Sequence, residues 1–421
     1  MGFRRRRSPA QQPLEHRLLL TATFCLLAGG AVMVYSASSA RTLLEGHGDG
    51  TAYLIKYIAY GVIGLGVMHL IANHLQLAWV QRFTPVLLGI AFLMLLAVLI
   101  PGLGVRVNGA RRWLGAGPLQ FQPSEVMKLA LVLHAASVVA MRPTITRDLR
   151  RVFGPVILPA ACAMLLIMLQ PDMGSALVIA MTLSALLLIC GVPVRQMAKF
   201  AAIGAGLVAI LAILEPYRRA RLTSFLNPWA DAGGAGFQAV QGQIAIGSGG
   251  MFGVGPGQSV QKIFYLPEAH TDFILAVIGE ELGAAGIMCL LFLYGMIAYA
   301  GLRTAKAAKG VYAKMLAAGL TSLILCQALL NVYAVLGLAP LTGVPLPFIS
   351  SGSTSLIVLL TSMGLLLNIA GGGSAHLQAV PGKGRGKRDA ERGGAAEGRD
   401  RRRRDGRARG ARDRGGRRAT G

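Results

Sequence analysis

Ten stretches of about 20 predominantly apolar residues recur along this chain of 421 residues. Each is long enough to cross a hydrocarbon core of about 30 Å as a helix rising about 1.5 Å per residue. They run approximately from Leu18 to Ser38, Tyr53 to Asn73, Val80 to Ile100, Phe121 to Met141, Val152 to Gln170, Gly174 to Cys190, Gln196 to Glu215, Phe273 to Leu302, Ala313 to Gly337 and Gly352 to Gly372. Only 14% of the residues are charged and the mean hydropathy is +0.56, far from the balance of a soluble domain. The expected fold class is therefore an all-α polytopic membrane protein of about ten transmembrane helices. The first run follows Arg4, Arg5, Arg6 and Arg7 but exceeds the apolar core of a signal peptide, so it reads as a retained helix.

An even number of spans puts both termini on one side, and the positive-inside rule makes that side cytoplasmic. Three inner loops agree: one with Arg142, Arg147, Arg150 and Arg151, one with Arg195 and Lys199, and one with Arg303, Lys306, Lys309 and Lys314. This divides the chain into a basic segment at 1–17, a membrane domain at 18–372 and a basic cytoplasmic tail at 373–421. The formal charge of +24 suggests a nucleic-acid partner until it is apportioned. Gly382 to Gly421 holds 16 Lys or Arg against 6 Asp or Glu, a net +10, in a Gly- and Arg-rich stretch without apolar periodicity. Such a tail cannot offset the entropy of folding and is expected to be disordered, with a topological and electrostatic role and no nucleic acid involved.

The same orientation leaves Arg106, Arg111, Arg112, Arg218, Arg219, Arg221 and Lys262 outside, against the rule that the other loops obey. Outer cations point either to an anionic ligand, which guanidinium groups grip bidentately, or to lipid headgroups. The longest connection, residues 216–271, lies between the seventh and eighth runs and carries aromatics and a moderately apolar stretch fit for a short interfacial helix, so it is expected to form an ordered cap. Its glycines follow no strand and end in no Lys-Ser/Thr pair, which argues against a Walker-type site. Asp272 then stands where the outer aqueous phase meets the eighth run. A carboxylate there either caps the helix or serves as a general base near an anionic substrate.

Other polar residues lie at membrane depth, where they are costly and so point to function: Glu125 and Lys128, Asp172, Glu280 and Glu281, and Gln327 and Asn331. Glu125 and Lys128, three apart on one helix face, also suit a plain ion pair, and Asp172 suits a helix cap. The last outer loop, Pro340 to Ser355, reads PLTGVPLPFISSGSTS, with helix-breaking prolines and hydroxyls that suit a polar headgroup. No HExxH, CxxC or acidic cluster suggests a metal cage.

Three stretches carry a resemblance: NGARRWLGAGPLQFQPSEVMKLA at Asn108–Ala130, LQPDMGSA at Leu169–Ala176, and GSGGMFGVGPGQSVQKIFYLPEAHTDFILAVIGEELG at Gly247–Gly283. With them the chain resembles, from about Leu18 to Ala370, the SEDS family of bacterial shape, elongation, division and sporulation proteins. The resemblance implies a ten-helix fold and a peptidoglycan glycosyltransferase of the bacterial cytoplasmic membrane. It would polymerise lipid II, the undecaprenyl-pyrophosphate-linked disaccharide-peptide, on the outer face. Asp272 matches the family's catalytic aspartate. Arg111, Arg112, Lys128, Arg218, Arg221 and Lys262 become candidates for charge on the departing pyrophosphate, and Trp113, Gln122, Glu125, Asp172, Glu268, His270, Thr271 and Ser350 for further substrate contacts. No dedicated cofactor is implied, only a divalent cation, Mg2+ or Mn2+, carried with the pyrophosphate. The implied partners are a class B penicillin-binding protein transpeptidase and other division proteins. The PEAHTDF wording favours the division branch, and hence the septum, over the elongation branch, and leaves a sporulation role open. At Ser353 this chain departs from a position where relatives commonly have glycine. Competing readings are an elongation polymerase, a transporter that flips lipid II, and a scaffold for the transpeptidase.

Overall fold

A computed structural model of the chain describes residues 13–44, 51–107, 110–116, 119–143, 149–199, 224–234, 236–263 and 269–372, with isolated residues 202, 206 and 266. Among these, eight helices are long and apolar enough to cross a membrane, and a ninth apolar helix is shorter. In chain order they are α1 (Leu14–Leu44), α2 (Thr51–His74), α3 (Leu77–Leu99), α4 (Pro123–Met141), α5 (Leu158–Leu169, continued from Leu149–Val152 through a π-helical turn at Phe153–Ile157), the shorter α6 (Met173–Ile189), α8 (Ile274–Ala307), α9 (Val311–Val335) and α10 (Ser353–Ala370). Between α6 and α8, α7 spans Phe237–Gly249. The seventh run, Gln196 to Glu215, lies largely outside the described residues, as do the N-terminal arginines and the tail.

Packing sorts the helices by depth. α4, α9 and α10 are buried over most of their length, whereas α2, α3, α5 and α8 turn faces of Ile, Val, Leu and Phe outward, the belt that acyl chains cover. Because lipid is as apolar as leucine, contact between helices here depends on close approach at small residues. α2 and α10 meet that way twice. A Cβ on Gly64 would stand 2.5 Å from Leu360 Cδ1, and one on Gly364 would stand 2.8 Å from the Met68 carbonyl.

At 34 residues α8 would run about 50 Å, more than the bilayer needs. It breaks at Gly283, where φ 67° and ψ −164° lie outside helical geometry. The backbone groups freed by the break are paired from outside: Ala284 and Ala285 donate N–H to the carbonyls of Gly250 and Met251 at 2.9 and 3.0 Å, and Val254 donates to the Glu280 carbonyl at 2.9 Å. The Gly-rich stretch after α7 therefore acts as the partner of the break.

One element departs from the all-helical expectation. Residues 104–121, expected as a plain outer loop, form an antiparallel sheet in the order β1 (Gly104–Val107), β2 (Ala110–Ala116) and β3 (Leu119–Phe121). β1 and β3, of 4 and 3 residues, are too short to show a two-residue period, and the seven residues of β2, ARRWLGA, do not alternate apolar with polar. Their register sets Arg106 opposite Arg111 and Val105 opposite Trp113.

Candidate active site

Asp272 lies one residue ahead of Phe273, which occupies the N-cap position of α8 and makes no side-chain cap bond. The Asp272 carboxylate is half-buried and accepts a hydrogen bond from Thr271 Oγ1 at 3.1 Å. Its placement comes from the main chain on both sides. Asn331 Nδ2, near the end of α9, donates to the Asp272 carbonyl at 2.7 Å, and Ser351 donates to the His270 carbonyl through its N–H at 3.1 Å and its hydroxyl at 2.9 Å. Gly343 borders the carboxylate: a Cβ there would stand 3.7 Å from Asp272 Oδ2, and its φ of +68° suits glycine best.

The loop that brings Gly343 and Ser351 to this point is fixed through its carbonyls. Val344 is held by Asn331 at 2.8 Å, Pro345 by Gln327 at 3.1 Å, Pro347 by the Tyr294 hydroxyl and Phe348 by the Tyr57 hydroxyl, both at 2.6 Å. Two prolines deny the segment a regular backbone ladder, so these side chains supply the missing donors. Phe348 sits at φ +65°, an arrangement that costs on the order of 1–3 kcal/mol and persists because the surroundings impose it. Ser350 was expected to touch substrate. Instead it is buried and its hydroxyl accepts from the Leu346 N–H at 2.8 Å, closing the same turn.

Two further clusters support this loop. Lys128, buried in α4, donates to Glu125 and to Gln327 Oε1, each at 2.8 Å, and Gln327 passes on to Ser355 at 3.2 Å as well as to Pro345. Glu125 and Lys128 are thus the i,i+3 ion pair that their spacing allowed, tied to the loop beside Asp272. Asp172 caps α6, accepting from Ser175 N–H, Ser124 Oγ and Gln122 Nε2, each at 3.1 Å. Arg112 braces the turn before it, donating to the carbonyls of Gln170 at 3.2 Å and of Pro171. The bonds seen at Gln122, Arg112 and Asp172 are therefore architectural.

Lys262 requires a correction. Expected as an open cation for pyrophosphate, it is buried, and its ammonium donates to Glu281 Oε1 at 2.7 Å, to the Gly257 carbonyl at 2.8 Å and to Ser36 Oγ of α1 at 3.1 Å. An ammonium has three protons, and all three are used. Glu280 likewise serves structure, accepting from Ser259 Oγ and, at 3.0 Å, from the Val260 N–H.

Alternation along β2 puts Arg111 and Trp113 on the face opposite Arg112. Trp113 and His270 line a cavity of about 270 Å³, and the His270 ring packs on Tyr53 with centroids 4.5 Å apart. Arg218, Arg221 and Glu268 lie outside the described residues. Sequence reasoning missed Ser351 and Tyr57 as anchors, and it noted Asn331 and Gln327 only as polar residues at membrane depth. A side chain that donates to a distant carbonyl leaves no pattern in its own neighbourhood.

The fold and these motifs meet in known proteins. The profile of the family described as "Cell cycle protein", which covers FtsW, RodA and SpoVE, matches residues 16–373. Stage V sporulation protein E of Bacillus subtilis strain 168 is 38% identical over 353 residues, 84% of this chain and 96% of that protein. A protein of Thioalkalivibrio sulfidiphilus named "Probable peptidoglycan glycosyltransferase FtsW" is 41% identical over 374 residues, 86% of this chain and 92% of its own. Among solved structures, a chain from a peptidoglycan synthase complex that coordinates polymerization and crosslinking superposes with a TM-score of 0.68 at 31% identity, covering 84% of this chain and 96% of that one. The rod shape determining protein RodA of Thermus thermophilus gives 0.60 at 27%, covering 84% and 95%. The fold and site define a multi-pass membrane protein. The chain belongs to the FtsW, RodA and SpoVE family of cell cycle proteins.

Proposed function

We propose that the protein is a peptidoglycan glycosyltransferase that polymerises lipid II at the outer face of the bacterial cytoplasmic membrane during division, at the septum. The observation that carries this reading is Asp272: a half-buried carboxylate, held through the carbonyls on either side of it, at the membrane-proximal start of a helix. A general base needs that combination of access and fixed position. Both the sporulation and the division relatives align along nearly their whole length, which supports the activity more than it separates the two roles.

In the reaction, Asp272 accepts the proton of the acceptor sugar's 4-hydroxyl as its oxygen attacks the anomeric carbon of the donor. The bond from that carbon to pyrophosphate breaks, and its electron pair leaves on the phosphate oxygen. One displacement inverts an α-linked donor into a β-linked glycan. Arg111, on the side of β2 away from the braced turn, is the described arginine best placed to meet negative charge. Among the described residues no three His, Cys, Asp or Glu side chains gather into a cage. A divalent cation, Mg2+ or Mn2+, is proposed to come with the substrate pyrophosphate. A class B penicillin-binding protein is the proposed partner, supported by the relative solved within a synthase complex.

Reconstitution of the purified protein with lipid II and the transpeptidase tests this reading. Glycan strands resolved by length on a gel are the expected product. Movement of lipid II between leaflets without any strand would replace the polymerase by a transporter.

Asn331→Leu gives a narrower test. It removes the donor to the Asp272 and Val344 carbonyls without altering the carboxylate chemically. We expect kcat to fall roughly 10–100-fold through misplacement of the base, with KM within about twofold. Unchanged kcat in a folded variant would deny Asn331 its positioning role.

A further inference from the structure

Lys56 stands on the second turn of α2, inside what the sequence presents as an uninterrupted apolar run. It is exposed near the outer end of the span, where a long ammonium side chain reaches the polar phase, so its surroundings indicate its use. Among the described residues no carboxylate pairs with it, and its ammonium lies 5.9 Å from the centre of the Tyr53 ring. It faces the cavity of about 270 Å³ introduced above. Tyr53, Trp113 and His270 supply aromatic surface there, and Gln120 and Ser353 supply polar groups.

We propose that this cavity is a headgroup subsite, in which a glycosyl ring of the lipid-linked substrate lies against the aromatic side chains while Lys56 binds an anionic group of the same headgroup. The proposal rests on the glycosyltransferase reading above and assigns a place to part of its substrate. Four observations carry it. The volume is close to the lower end of small-molecule sites, about 300 Å³, room for a single ring and not for the whole headgroup. Its lining combines aromatic faces with a few convergent polar groups, as ligand sites do. It adjoins the base, because His270 is two residues from Asp272 and its carbonyl is fixed by Ser351. Finally, the sheet adds charge of the same sign: Arg111 shares the Trp113 face of β2, and its cross-strand partner is Arg106. Like charges placed opposite one another disfavour the pair unless an anion joins them.

The anion is either the pyrophosphate or a carboxylate of the peptide stem, and two substrates separate them. Polymerisation by the purified complex is followed with lipid II carrying free stem carboxylates and with lipid II whose stem carboxylates are amidated. For Lys56→Met we expect KM to rise roughly tenfold with kcat within about twofold, as loss of one charge-assisted hydrogen bond requires, and Lys56→Arg to restore most of the loss. A penalty confined to the free-acid substrate assigns Lys56 to the stem, and a penalty with both assigns it to pyrophosphate. Unchanged KM for both substrates overturns the proposal. So does a penalty that appears only in vesicles of anionic phospholipid and vanishes in zwitterionic ones, which would make Lys56 a bulk-lipid contact. Should wild type form strands while Lys56→Met matches it, only the subsite falls. Should wild type form none, the glycosyltransferase reading and the subsite fall together.

Discussion

Asp272→Asn yields a folded protein whose polymerisation of lipid II is slower by roughly 10²–10⁴, the range a positioned general base contributes. The amide keeps the shape of the carboxylate, and the main-chain bonds from Asn331 and Ser351 do not involve the side chain that changes. What disappears is a site able to take a proton from the acceptor hydroxyl. Strand length on a gel and single-turnover rates with the transpeptidase bound check this, alongside a thermal unfolding curve showing that the variant is intact. Full activity in that variant would leave Asp272 as a structural residue at the head of α8 and would require another base.

The other large effect falls on stability. Lys262 and Glu281 form an ion pair at 2.7 Å with side chains 2% and 0% exposed. Lys262→Met leaves the Glu281 carboxylate buried with Ser36 as its remaining donor, and breaking a buried pair from one side costs about 3–5 kcal/mol. The double variant Lys262→Met, Glu281→Gln removes both charges and is expected to recover most of that loss. Melting temperatures of the three proteins in one detergent or nanodisc decide the matter. Were Lys262→Met to melt with wild type and instead raise KM for lipid II, Lys262 would be a substrate cation after all, and the closed geometry described here would not be the working one.

Much of the frame was legible because the bilayer imposes a length on every crossing element. The helices described here fall on the apolar runs, with ends that differ by a few residues. The Glu125–Lys128 pair and the Asp172 cap were legible too, since both depend on spacing within one helix or at its start. Three features were not. In the β1–β3 sheet two strands are too short to carry a period, and β2 has no apolar alternation. Lys56 was masked by the apolar run around it, although charge at the outer end of a span was the signal to follow. The pairing of Lys262 with Glu281 joins the Gly-rich stretch to α8, and neither segment's own residue pattern specifies it.

The carbonyl-pinned loop from Val344 to Phe348 bears on how this sequence can drift over generations. Its backbone is held by donors on α2, α8 and α9, namely Tyr57, Tyr294, Gln327 and Asn331, while Val344, Leu346 and Phe348 bury their own side chains in the core. Tolerance is therefore expected to be low on both sides of the contact, at four polar positions in the flanking helices and at the three buried apolar positions of the loop, unlike an ordinary surface loop. Ser353, where relatives commonly have glycine, stands outside that set: it is the first residue of α10, a position serine fills without strain, and none of the bonds that hold the loop carbonyls comes from it.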